Sequence, residues 1–277
     1  MPEARADDGC RLWFDEVGVG PAIVFVHEFG GEPASWDHQV AALAVDHRCI
    51  RYAARGFVPS EVPDSVDSYG QTCSTADLGA IVDHLRLDTV HLVGTSMGSF
   101  TSLDFTMRHP ERVRSLTLVG NSSGPRDAIE RERYLTGWVE AEIDVRHRLG
   151  GRGAVEILER DPAYASLRRR LPDVWAAYAA RLAAQPVDGA IRILDTLHRH
   201  RRSLWDDAEL LAVIECPVLL AHGDEDYFLV EDTNRFLEAT LPSSRRVRFE
   251  ATGHLVNVER PSEFNELLRA HIAGAGD

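Results

Sequence analysis

The chain has 277 residues, 44% hydrophobic and 27% charged, an ordinary globular composition that argues against a disordered or fibrous protein. Its formal net charge of −14 speaks against nucleic acid as a partner, because phosphates demand a basic surface. No apolar run approaches the roughly 20 residues of a bilayer span, and Met1 to Gly9 is polar and acidic, unlike a signal peptide. A cytoplasmic setting with no membrane partner is therefore expected.

This length suffices for one large α/β domain, or for a core domain carrying an insertion, without covalent staples. Cys10, Cys49, Cys73 and Cys216 are far apart and show no C-x-x-C spacing, so free thiols are expected, with Cys49 and Cys216 as small core residues. Every side-chain cation other than histidine is arginine, since the chain holds no lysine. Residues 124–205 carry 15 Arg against 12 Asp and Glu, whereas the rest carries 15 against 32. The middle is mildly basic and its flanks are strongly acidic, which favours their docking and hints at an anionic substrate.

Taken in order, Arg11 to Val17 and Ala22 to Val26 are β-rich runs separated by Gly18-Val19-Gly20-Pro21, the pattern of an antiparallel hairpin. The second run ends at His27-Glu28-Phe29-Gly30-Gly31, a loop whose glycines let backbone N–H groups face a ligand at a sheet's C-terminal edge. A short helix is expected at Trp36 to Ala44, a strand at Arg48 to Ala53 and a loop at Arg55 to Ser60. Leu78, Ile81, Val82 and Leu85 recur at helical spacing, so Asp77 to Leu87 reads as an amphipathic helix. Ser74 or Thr75 would cap it, and Asp77 would face the positive end of its dipole. Val90 to Val93 then leads as a strand into Gly94-Thr95-Ser96-Met97-Gly98, and a helix leaves over Ser99 to Arg108. Val113 to Gly120 is another buried strand, after which Asn121-Ser122-Ser123-Gly124-Pro125 breaks the pattern.

From Arg126 to about Trp205 no β-rich run occurs, and Asp161-Pro162, Leu171-Pro172 and Gln185-Pro186 punctuate a series of short helices. A strand returns at Pro217 to Ala221 and runs into His222-Gly223-Asp224-Glu225-Asp226. A helix at Glu231 to Leu241, a strand at Arg246 to Phe249, Thr252-Gly253-His254 and a helix from Pro261 through Ile272 complete the chain. This alternation predicts an α/β fold with a mostly parallel sheet covered on both faces. The expected organisation is a core over 1–124, a helical cap over 125–205 and the rest of the core over 206–277.

The chemistry concentrates at three strand ends. Ser96 sits at the apex of a G-x-S-x-G turn between strand and helix, a nucleophile elbow that also presents the Met97 N–H to an oxyanion. Either Asp224 or Asp226, and then His254, follow in the order Ser, Asp, His that accompanies such an elbow. A serine hydroxyl needs a base, an imidazole supplies one, and a carboxylate sets the imidazole's tautomer.

With these motifs the chain resembles the α/β-hydrolase superfamily, in its cap-bearing branch of small esterases, lactonases and C–C bond hydrolases. The resemblance covers residues 11–123 and 206–273. It rests on the elbow, the His27 loop, Arg55-Gly56 with Ser60, the His222-Gly223-Asp224-x-Asp226 loop, and Gly253-His254 followed by Glu259-x-Pro261. It implies Ser96 as nucleophile, His254 as base and Asp226 as acid, with Asp224 turning its loop and the backbone N–H groups of Phe29 and Met97 as oxyanion donors. The implied activity is cleavage of a small carboxylic ester or lactone through an acyl-enzyme, with a small molecule as substrate and no cofactor or metal. C–C hydrolysis of β-diketone-like compounds by the same triad, and a non-hydrolytic lyase or a ligand-binding receptor, are the alternatives this fold also hosts. The oligomeric state has no signature in the chain.

Two positions depart from the family pattern. Glu28 replaces the glycine of the usual His-Gly loop, and the expectation is that it turns away or pairs with an arginine; turned inward, it would be a pocket residue. Val230 replaces a proline after the acid loop. His198 and His200 in Leu197-His198-Arg199-His200-Arg201-Arg202 resemble a metal tract, but i and i+2 lie on different helix faces, so this tract is expected to be a solvated basic face, as is Arg168-Arg169-Arg170. Trp138, Trp175 and Trp205 could line a pocket or pack the cap, and His27 is expected to support its loop.

Overall fold

The computed structural model describes residues 2–122 and 124–276. Ser123, in the loop expected to break the pattern after the Val113 strand, lies outside the described residues, as do Met1 and Asp277. Eight strands form one sheet: β1 (Glu3–Arg5), β2 (Arg11–Val17), β3 (Ala22–Val26), β4 (Arg48–Tyr52), β5 (Val90–Thr95), β6 (Val113–Val119), β7 (Val218–Gly223) and β8 (Ser244–Phe249). Their order is β1-β2-β4-β3-β5-β6-β7-β8. The β1/β2 and β2/β4 pairs are antiparallel, and every pair from β4 to β8 is parallel.

The central strands β3, β5, β6 and β7 are buried almost throughout because both faces are covered. Strand residues alternate between faces, so Val24 and Val26 join one core with Leu92, Leu118, Leu220, Leu78 and Leu103. Ile23 and Phe25 join the other with Trp36, Leu43, Val93, Phe264 and Leu268. Helices α2 (Gln71–His84) and α3 (Met97–Arg108) therefore cover the first face, and α1 (Asp37–Leu43) the second.

Between β6 and β7 the chain is helical: α4 (Ala128–Tyr134), α5 (Glu140–Leu149), α6 (Gly151–Arg160), α7 (Ala165–Arg170), α8 (Pro172–Ala184), α9 (Val187–Ile193) and α10 (Ala208–Leu211). A π-helical turn over Leu135–Val139 joins α4 to α5, and another over Leu194–His198 prolongs α9. After β7 come α11 (Phe228–Thr240), α12 (Val256–Glu259) and α13 (Pro261–Ala275), the last packed with α1 on the second face. Among the described residues no helix is long and apolar enough to cross a membrane.

The helical insertion docks on the core largely through arginine. Arg169 pairs with Glu225 at 3.2 Å, Arg126 with Asp232 at 3.1 Å, and Arg181 with Glu32. Apolar contact adds to this, since Tyr164, Leu167 and Leu182 pack with Leu255 and Val258. Arg168 and Arg170 bond backbone carbonyls of Leu158 and Ala251, so the Arg168–Arg170 run is only partly a solvated face.

Several expectations are corrected. β2 and β3 are not a hairpin, because β4 lies between them and pairs with both. Gly18 and Gly20 have positive φ and lie so close to the Ala44, Asp46 and His47 carbonyls that side chains there would clash. The actual hairpin is β1–β2, closed by Ala6 to Cys10. Helix α2 starts at Gln71, so Ser74 and Thr75 lie inside it rather than capping it. Asp77 is likewise past the first turn, where it forms a buried ion pair with Arg55 at 2.5 Å. The polar opening of this helix has no apolar periodicity, which hid its first turns. Cys49 is fully buried and Cys216 half-buried, and the four cysteines are free thiols.

The elbow is packed to its limit: a Cβ on Gly98 would lie 2.1 Å from the Val26 carbonyl oxygen, whereas one on Gly79 in α2 would meet only Phe105 at 3.7 Å. Gly98→Ala should destabilise by about 3 kcal/mol, while Gly79→Ala should stabilise by about 0.5–1 kcal/mol through helix propensity. Thermal melts followed by circular dichroism check both signs.

Candidate active site

Ser96 joins β5 to α3 at φ 53°, ψ −113°, a left-handed backbone that is unusual outside glycine. Its N–H donates to the Val119 carbonyl at 2.8 Å, and Gly94 leaves room for the Gly98 carbonyl, which would meet a Cβ at 2.4 Å. The serine thus projects from the sheet edge, half-buried, and the Met97 N–H is the first of α3, where the helix supplies no partner of its own.

His254 follows β8 on a turn held by Glu259, whose Oε1 accepts from the Gly253 N–H at 3.0 Å. Its own N–H donates to the Ala163 carbonyl of the insertion at 2.9 Å. Its Nδ1 lies 2.8 Å from Asp226 Oδ1, with both side chains buried. The carboxylate can only accept, so the proton belongs on Nδ1 and the Nε2 lone pair is left as the basic one. Burial alone would lower the His254 pKa, but the Asp226 charge and hydrogen bond, aided by Asp161 and Glu28, raise it above its ordinary value. Asp226 Oδ2 is buried without a partner among the described residues, so imidazolium is the charge best placed to compensate this carboxylate. Asp224 instead accepts from the Thr252 N–H at 3.1 Å and ties its loop to the histidine loop.

Ser96 and His254 line one cavity of about 400 Å³ between the core and the insertion. Trp138 lines it too, stacked on Tyr134 and edge-on to Phe29 and His198. Trp175 packs among Tyr164 and Tyr178, and Trp205 on Phe236, so of the three tryptophans Trp138 is the one in this wall. Both π-helical turns contribute to the lining, through Gly137 and Trp138 in one and His198 in the other.

Glu28 is not part of the lining. Its carboxyl curls under its own loop, where a Cβ on Gly31 would touch it, and Oε1 accepts from the Ser35 hydroxyl at 2.9 Å. It has no arginine partner among the described residues, which corrects that part of the expectation. Burial raises its pKa, opposed by hydrogen bonds from its own backbone and Ser35. His27 holds the same loop: its Nε2 accepts from the Ala54 N–H at 3.0 Å, so Nδ1 donates to the Glu28 carbonyl at 2.8 Å. Burial pushes its pKa down to about 4, keeping it neutral.

The chain also hides residues that local sequence gave no means of finding. His198 is buried, with Nδ1 2.9 Å from the Tyr134 hydroxyl, and Arg201 is buried in the cavity wall; both overturn the solvated-face expectation, which fits exposed His200 and Arg202. Gly120 has φ 58°, and a Cβ there would press on the His254 ring at 3.0 Å. Tyr227 stands edge-on to that ring at 5.1 Å. A glycine after an apolar run was the visible trace of Gly120, while the others depend on tertiary placement.

The profile of the alpha/beta hydrolase fold family matches residues 21–261. The chain belongs to that family. Over 267 residues it is 30% identical to a putative 2-succinyl-6-hydroxy-2,4-cyclohexadiene-1-carboxylate synthase of Bacillus subtilis, covering 94% of each chain. It is 28% identical to a 2-hydroxy-6-oxo-2,4-heptadienoate hydrolase of Pseudomonas putida, covering 96% of this chain and 94% of that one. Among solved structures, a thermophilic esterase from Thermogutta terrifontis superposes with a TM-score of 0.86 at 23% identity, covering 100% of this chain and 99% of that one. That likeness carries the α/β-hydrolase fold, here eight strands with the helical insertion after β6.

The His254 environment is open to direct measurement. By NMR the imidazole should titrate above its ordinary value of 6.5; Asp226→Asn should lower that pKa, whereas Asp224→Asn, which removes a loop contact, should move it much less.

Proposed function

We propose that this protein is a cofactor-free serine hydrolase that cleaves a small carboxylic ester or lactone through an acyl-enzyme. The observation that carries the reading is the buried Asp226–His254 hydrogen bond of 2.8 Å beside a cavity that also holds Ser96 at a positive-φ turn. In the first half-reaction His254 Nε2 takes the Ser96 proton as Oγ adds to the substrate carbonyl. The oxyanion accepts from the N–H groups of Met97 and Phe29, each such donor contributing roughly 3–4 kcal/mol to the transition state. Collapse expels the alkoxide, which takes the proton from His254. His254 then deprotonates a water, the water adds to the acyl carbon, and Ser96 leaves with the proton returned. Asp226 stabilises the imidazolium in both halves and remains a carboxylate.

A second reading uses the same side chains on a C–C bond or in a non-hydrolytic elimination. The 30% identity to a synthase and the 28% identity to an oxo-dienoate hydrolase favour keeping it. The roles of Trp138 as a wall of the acyl pocket and of a small molecule as sole partner belong to the first reading. A cytoplasmic setting fits both.

Ser96→Ala should reduce turnover of p-nitrophenyl butyrate more than about a thousandfold with the circular dichroism spectrum unchanged. For the wild type, kcat/KM should rise with pH as His254 loses its proton, through an apparent pKa raised above 6.5. A wild type that turns over no short ester and takes no fluorophosphonate on Ser96 would sink the esterase reading.

A further inference from the structure

We propose that Arg201 anchors a subsite for a carboxylate carried by the substrate a few bonds from the carbonyl that Ser96 attacks. This deepens the hydrolase reading and rests on it.

Arg201 lies where the chain leaves the helical insertion, past the π-helical turn that ends at His198. It is 5% exposed and lines the same cavity as Ser96 and His254. Among the described residues its buried Nε and Nη2 have no hydrogen-bond partner. These two nitrogens form one edge of the guanidinium, the edge that grips both oxygens of a carboxylate side-on. Arg146 in the same cavity is also buried, but its Nε donates to Glu142 at 2.9 Å, so its charge is already answered. Arg201 has instead the Phe100 ring, 4.3 Å from Cζ, and the neutral phenol of Tyr134 nearby. A ring face attracts a cation without giving it hydrogen-bond acceptors. An unpaired buried cation is disfavoured in the folded chain, and an arriving anion relieves the penalty.

Phe100 places this charge relative to the chemistry. It follows Ser96 by one turn of α3, with its N–H donating to the Ser96 carbonyl at 3.2 Å. The ring beneath the guanidinium therefore belongs to the residue one helical turn, ~5 Å along the α3 axis, from the serine. The cavity's charge has the matching sign. Among the described lining residues Arg133, Arg146 and Arg201 face a single carboxylate, Glu142, in a chain whose net charge is −14. An anion repelled by most of the surface is drawn to this cleft. Half-esters of short dicarboxylic acids, of succinate or glutarate length, place a carboxylate and an ester carbonyl a few bonds apart.

The test compares monoethyl with diethyl glutarate in a pH-stat, using wild type, Arg201→Gln and Arg201→Lys. The wild type should prefer the monoester, and Arg201→Gln should reduce that preference about 10- to 200-fold, with Arg201→Lys in between. Calorimetry on Ser96→Ala should detect glutarate binding that vanishes in the Ser96→Ala/Arg201→Gln double variant. Equal loss on both esters, inorganic phosphate binding as tightly as glutarate, or a lower melting temperature for ligand-free Arg201→Gln would each overturn the subsite, the last by marking Arg201 as a structural clamp. Arg201-dependent glutarate binding without turnover of either ester would support the subsite and sink the hydrolase reading instead. Diester turnover with no monoester preference and no glutarate binding would do the reverse.

Discussion

The close passage of the β5–α3 turn against β3 is the constraint on which the rest of this structure depends. A Cβ at Gly98 would stand 2.1 Å from the Val26 carbonyl oxygen and 2.7 Å from that of His27. Backbone meets backbone there with no side chain between, and the chain can reverse from strand to helix only by holding Ser96 at φ 53°. Such a conformation is strained. It persists because β5 is buried between β3 and β6 and because α3 packs one face of the sheet. The same passage brings the first amide of α3 alongside the loop after β3, so the two N–H groups proposed to hold an oxyanion are neighbours by packing. A turn held this way is preorganised.

The helical insertion contributes the other side of the cavity, and its arginines divide by burial. Those at its margin, such as Arg126, Arg169 and Arg181, meet acids of the core in partly exposed pairs that are individually weak and jointly orient the two layers. Inside, Arg146 is matched by Glu142, whereas Arg201 rests against an aromatic face. The excess of acid over base in the core thus serves docking at the rim, while the excess of base over acid inside the cavity is available to a ligand.

Glu28 illustrates how a residue foreign to a family pattern can be absorbed structurally. The carboxyl folds beneath its loop onto Ser35, in space that exists because Gly31 has no side chain. Burial raises its pKa against the hydrogen bonds of its own backbone and Ser35, and the carboxyl lies outside the cavity lining. Together with neutral His27, it stiffens the loop that carries the Phe29 amide.

What the local chain determined is what short-range physics controls. Apolar runs marked β3 and β7, the glycines around Ser96 marked the turn, and the order of Ser96, Asp226 and His254 could be read because each follows a strand end. Pairing was another matter. β4 separates β2 from β3 although 21 residues divide it from β3, and no turn signal reports a strand inserted from so far along the chain. Asp226 and Asp224 are chemically equal in sequence, and only their placement put one against His254 and the other against Thr252. The same holds for His198 and Arg201, which look like part of a solvated basic run and are buried in the cavity wall. Burial, and with it the protonation and pairing of every group in the site, is a property of contacts between distant segments, so tertiary structure alone decided it.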